Sequence, residues 1–143
     1  MPSVLVDTGV WYALSDPTDR IVRGEVIDAL QARIEVHAVI VPWPIAYETL
    51  RTSFVRNRLA LERFEQALKS PRVILVDDSP YRHDALALSI ESSLRGRRPL
   101  SMVDCLMRIL LDDSDVKIRY LATFNVRDFV DICTRRRIEL WSQ

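Results

Sequence analysis

Short, β-branched apolar runs alternate with segments of helical period along the whole chain. The first run, Ser3-Val4-Leu5-Val6, is continuous rather than alternating and ends abruptly at Asp7. A run of that kind suits a strand buried on both faces. Val39-Ile40-Val41, Val73-Ile74-Leu75-Val76 and Tyr120-Leu121-Ala122-Thr123 read as three more strands, and Ile138-Glu139-Leu140-Trp141 as a closing edge strand. Helical segments are predicted over residues 10–14, 20–33, 45–54, 58–69, 81–94 and 101–110. In the second of these, Ile21, Val22, Ile27 and Leu30 share one face with Ile34 just beyond it. A short helix is expected after Asp128. Strands separated by helices predict an α/β fold: a three-layer α/β/α arrangement around a mainly parallel sheet of about five strands.

Turn signals separate these elements. Asp7-Thr8-Gly9, Asp16-Pro17-Thr18-Asp19, Pro42-Trp43-Pro44 and Asp77-Asp78-Ser79-Pro80 each break a regular pattern. Arg95-Gly96-Arg97-Arg98-Pro99 reads as a basic loop, and Asp112-Asp113-Ser114-Asp115 as a solvated turn. With no repeat, low-complexity stretch or linker, the 143 residues are expected to form one domain, 1–143.

Charge excludes some functions. The 20 basic and 20 acidic residues cancel, which argues against a polyanion binder held by charge alone. No apolar stretch approaches the ~20 residues of a membrane span. Met1-Pro2-Ser3-Val4 puts no basic stretch before an apolar run, so a cytoplasmic location without a membrane partner is expected. Cys105, Cys133, His37 and His83 have no partners at metal-ligand spacing. Both thiols are read as structural, which disfavours a zinc site or a thiol nucleophile.

In a parallel sheet of this type the functional crevice lies at the carboxyl ends of the strands. That rule converts scattered acids into a location. Asp7 ends the first strand, while Thr123 and Asn125 end the fourth. Glu48 lies in the helix after the second strand, and Asp104 in the first turn of the helix that Ser101 starts. Like charges so placed raise one another's pKa, and a hard cation removes that cost. Mg²⁺ or Mn²⁺ is satisfied by three or four such oxygens plus waters. Each acid also has a structural role open to it. Asp7 can cap the following helix, Glu48 can pair with Arg51 or Arg56, and Ser101 with Asp104 fits a capping box. Asn125 can serve as a turn residue, and Asp128 as a helix-start acid.

Four segments resemble the PIN-domain family, and more narrowly its VapC-type toxin ribonucleases. Val4-Leu5-Val6-Asp7-Thr8-Gly9-Val10-Trp11 resembles the opening strand, whose Asp is the family's first metal ligand. Ile45-Ala46-Tyr47-Glu48-Thr49-Leu50 resembles the segment bearing its glutamate, and Leu100-Ser101-Met102-Val103-Asp104-Cys105-Leu106 its polar-then-Asp helix start. Leu121-Ala122-Thr123-Phe124-Asn125-Val126-Arg127-Asp128-Phe129 resembles its last motif. The resemblance implies a Mg²⁺- or Mn²⁺-dependent endoribonuclease acting on single-stranded or loop RNA. Asp7, Glu48, Asp104 and Asn125 would be its catalytic and metal-binding residues, with Thr8, Ser101, Thr123 and Asp128 in support. It further implies a homodimer, paired through the helices between strands one and three, and a small antitoxin protein whose tail fills the groove. Asn125 stands where many relatives carry Asp, so one well-held ion is expected. A second would depend on substrate phosphate, or on Asp128 turning inward.

An acidic centre still needs cations to hold RNA. Arg51, Arg95, Arg97 and Arg98 are the candidate phosphate contacts, and Arg135-Arg136-Arg137 lies farther away. Trp11 and Tyr12 are read as core residues before base-stacking ones. Two other functions remain open on the residues alone: a metal-dependent phosphotransfer protein, and a PIN-like binding domain without catalysis.

Overall fold

The computed structural model describes residues 2–16, 18 and 24–142. Among these, five strands form one all-parallel sheet and eight α-helices cover it in three layers. In chain order they are β1 (Ser3–Val6), α1 (Thr8–Ser15), α2 (Gly24–Ile34), β2 (Ala38–Pro42), α3 (Trp43–Thr49), α4 (Thr52–Val55), α5 (Arg58–Leu68) and β3 (Val73–Val76). Then follow α6 (Arg82–Leu94), α7 (Met102–Asp112), β4 (Ile118–Ala122), α8 (Val130–Arg136) and β5 (Glu139–Trp141). Single 3₁₀ turns at Ser79–Tyr81 and Val126–Asp128 lead towards α6 and α8.

The strand order is β3-β2-β1-β4-β5. From β1 the chain moves outward through β2 to β3, then crosses to the other side of β1 for β4 and β5. The order therefore reverses between β1 and β4, and the crevice of such a sheet opens at that reversal. β1 is buried along its whole length, as its unbroken apolar run demands. Its Leu5 lies between Ile40 on β2 and Leu121 on β4.

α1 packs against α3 and α5, while α7 packs between α6 and α8, so the two groups cover opposite faces. On the α1 side, Phe64 meets Trp11 at 5.2 Å and Phe54 at 5.8 Å between ring centroids, both edge to face. On the other side Met107, Leu110 and Phe129 are fully buried.

The structure departs from expectation in several places. The helix expected over 45–54 is two helices. The Thr49 hydroxyl donates to the Ile45 carbonyl at 2.7 Å, and such a back-bond competes with continuing the helix. Leu50 closes α3, Arg51 turns extended, and α4 restarts at an angle that buries Phe54. The start predicted at Arg20, with Ile21 and Val22, lies outside the described residues, as do Pro17 and Asp19 of the predicted break; α2 is described from Gly24. The 112–115 turn is not simply solvated. Asp112 accepts from Arg135 and Arg136, and Asp113 accepts from the Tyr81 hydroxyl at 2.7 Å. β3 lies at the sheet edge and exposes Ile74 and Leu75. Among the described residues, no helix is long and apolar enough to cross a membrane.

Phe64→Ala deletes a side chain that is 1% exposed, and it is expected to lower unfolding stability by ~3–5 kcal/mol. Leu59→Ala, on the same helix but half exposed, is expected to change it by less than ~0.5 kcal/mol. Urea denaturation of the two variants checks the difference.

Candidate active site

Asp7 follows β1 and is fixed from three directions. Its backbone N–H donates to the Ala122 carbonyl of β4 at 2.9 Å. One carboxylate oxygen, Oδ1, accepts the Thr8 N–H at 2.7 Å and so caps α1. The other, Oδ2, accepts the Thr123 hydroxyl at 2.7 Å. Thr123 is fully buried and in turn accepts the Asn125 N–H at 2.9 Å. The capping role open to Asp7 is thus real, and it leaves a rigid carboxylate at the strand reversal. Burial pushes its pKa up, the Thr123 and Thr8 hydrogen bonds pull it down, and the charges of Glu48 and Asp128 add to the rise.

Asp104 enters from α7. Ser101 caps that helix, its Oγ accepting the Asp104 N–H at 3.1 Å. Asp104 is pushed up to about 6, first by burial, then by the charges of Asp7 and Asp128; its contact with Ser101 opposes the rise and Glu48 adds slightly to it. Glu48 lies near the end of α3 with an exposed side chain. Its backbone carbonyl accepts the Tyr12 hydroxyl at 2.7 Å, which ties α3 to α1 beside the site. Tyr12 lies 4.6 Å beneath the Arg51 guanidinium.

Asp128 is more central than its expected role as a helix-start acid. Its side chain is only 15% exposed. One oxygen accepts the Asn125 amide at 2.5 Å, and the other pairs with Arg98 at 2.8 Å. Its charge reaches both Asp7 and Asp104. Asn125 is therefore a donor that orients an acid three residues on. The Asn125-x-x-Asp128 spacing was the available signal for this pairing.

Asp7, Glu48, Asp104 and Asp128 accordingly form one electrostatic unit around the carboxyl ends of β1 and β4. Among the described residues, no three His, Cys, Asp or Glu side chains stand in a ready-made metal-holding group. The carboxylates feel one another without converging on one point. The donor set of carboxylate, amide and hydroxyl oxygens fits a hard cation such as Mg²⁺ or Mn²⁺. Cys105 is fully buried next to Asp104, and Cys133 is buried with its thiol pushed up to about 11, so neither is a ready nucleophile.

The other predicted residues divide. Thr123 and Asp128 join the site, Ser101 acts as a cap, and Thr8 keeps a buried hydroxyl with no hydrogen-bond partner. Arg98 reaches Asp128, Arg95 just after α6 pairs with Glu91 of that helix, and Arg97 is exposed. Trp11 is core, at 3% exposure. A hollow of 830 Å³ between α1, α2 and α5 lies at the amino ends of β2 and β3, away from these acids. No family model matches this sequence, and no curated protein matches it.

The raised pKa of Asp104 has a definite sign. Without metal, the folded state holds a proton that the unfolded chain has lost, so stability falls as pH rises from about 4 to about 6. Asp104→Asn removes this loss and is expected to exceed the parent by ~1 kcal/mol above pH 6, a figure discounted for partial solvent screening. Metal-free thermal unfolding from pH 4 to pH 8 checks the divergence.

Proposed function

We propose that this chain is a divalent-metal-dependent endoribonuclease that hydrolyses RNA phosphodiester bonds. The single observation that supports it most is the place of Asp7 at the strand reversal, its carboxylate held by Thr8 and Thr123 next to the turn in which Asn125 holds Asp128. Carboxylates whose charges reach one another in a partly buried crevice are unfavourable unless a cation is part of the working state. Asp7 and Asp104 would hold Mg²⁺ or Mn²⁺, with Glu48 and Asp128 completing the set and Asn125 orienting Asp128. Such an ion, when bound, polarises a phosphodiester and acidifies a bound water. Thr123 keeps the Asp7 carboxylate in one orientation. Exposed Arg51 and Arg97 would be the phosphate contacts in this reading, and no duplex-reading element is needed for RNA whose bases are already exposed.

The family resemblance extends the proposal to the toxin of a toxin–antitoxin pair, acting in the cytoplasm as a homodimer under a small antitoxin protein. Exposed Trp43, Tyr47 and Leu50 lie along one face of α3, between β1 and β3. An exposed apolar stripe of this kind supports a protein partner on that face. A phosphotransfer role has less support, because the acids after β3 are engaged: Asp77 accepts from Ser79, and Asp78 pairs with Arg82.

Cleavage of a single-stranded RNA in Mn²⁺ tests the proposal. Asp7→Asn and Asp104→Asn are each expected to lose more than the ~10–100-fold typical of removing an outer supporting partner, while Thr123→Val falls within that range. Chelation by EDTA is expected to abolish cleavage. Full activity in both Asn variants would remove these acids from the chemistry.

A further inference from the structure

The site carries a cation of its own. Arg98 stands in the loop between α6 and α7, and its Nη2 lies 2.8 Å from Asp128 Oδ1. The same nitrogen donates to the Arg127 carbonyl at 2.9 Å. The side chain is about one-third exposed, against 15% for Asp128. The contact therefore lies at the mouth of the site rather than in open solvent.

The loop that delivers Arg98 is clamped. A side chain on Gly96 would put its Cβ 2.7 Å from the Ser92 carbonyl oxygen, so the chain runs tight against the end of α6 there. Farther on, the Leu100 N–H donates to the Ser92 hydroxyl at 3.1 Å, and the Leu100 carbonyl accepts the Ser89 hydroxyl at 2.8 Å. Asp128 is held independently of Arg98. Arg108 donates to its backbone carbonyl at 2.7 Å, and Asn125 holds its other carboxylate oxygen. Removing the Arg98 guanidinium thus frees a carboxylate oxygen without freeing the residue that bears it.

We infer that Arg98 is the resident counter-ion of the carboxylate site and that a divalent cation competes with it for Asp128. The inference rests on the metal-site reading above. A guanidinium ion-paired with the Asp128 carboxylate and a metal held by that carboxylate would draw on the same charge, and two cations beside one carboxylate repel. Metal entry therefore displaces Arg98 from Asp128. In the metal-free protein Arg98 offsets part of the carboxylate repulsion. Because the pair is partly exposed, its strength is modest, and the competition is a tuning of metal affinity rather than a block.

Calorimetric titration of the whole chain with Mn²⁺ tests this. Arg98→Ala is expected to bind Mn²⁺ about three- to fivefold more tightly than the parent, and Arg98→Lys to stay near the parent because it keeps a positive charge. In an Asp128→Asn background, Arg98→Ala is expected to leave Mn²⁺ affinity unchanged, because the contested oxygen no longer carries charge. Equal or weaker Mn²⁺ binding by Arg98→Ala, with the parent binding normally, overturns the competition and leaves the metal site standing. Absence of Mn²⁺ binding by parent and variants at millimolar metal overturns the metal-site reading and this inference with it.

Discussion

A threonine hydroxyl on one half of the chain donates to an aspartate on the other, and the site is organised around that contact. Thr123 and Asp7 are 116 residues apart in sequence and 2.7 Å apart in space. They meet because β1 and β4 are neighbours, and those strands are neighbours because the sheet order reverses between them. The backbone bond from Asp7 to Ala122 fixes the register that makes the meeting possible. Thr123 also receives the Asn125 N–H, and Asn125 in turn holds Asp128. One buried hydroxyl therefore relays the position of β1 to the turn that presents a second acid.

Burial and charge pull against each other at this point. The crevice lies on a buried sheet, so desolvation leads the causes that raise Asp7 and Asp104. The like charges of Asp128 and Glu48 add to it. Arg98 pairs with Asp128 from a loop clamped to α6.

Much of this was legible in the sequence. The continuous run before Asp7 placed that acid at a strand end, and strand–helix alternation with the carboxyl-end rule brought Thr123, Glu48 and Asp104 towards it. Ser101 with Asp104 was legible as a capping box, and the structure keeps that cap while also giving Asp104 a charged neighbourhood. The break at Thr49 was not legible, because a single hydroxyl back-bond decides it and many buried threonines lie in unbroken helices. The Arg98–Asp128 pair was not legible either. It depends on where a clamped loop delivers one of three neighbouring arginines, a matter of backbone path rather than residue type. The exposure of β3 followed from its edge position, which an apolar run alone does not report.

The central claim is that these acids share one divalent ion at the strand reversal. Anomalous diffraction from crystals soaked in Mn²⁺ tests it most directly. The predicted result is a single strong peak in contact with the carboxylates of Asp7 and Asp104, with Arg98 withdrawn from Asp128. Well-ordered Asp7 and Asp104 with no peak between them at millimolar Mn²⁺, or a peak bound only elsewhere on the molecule, would contradict it.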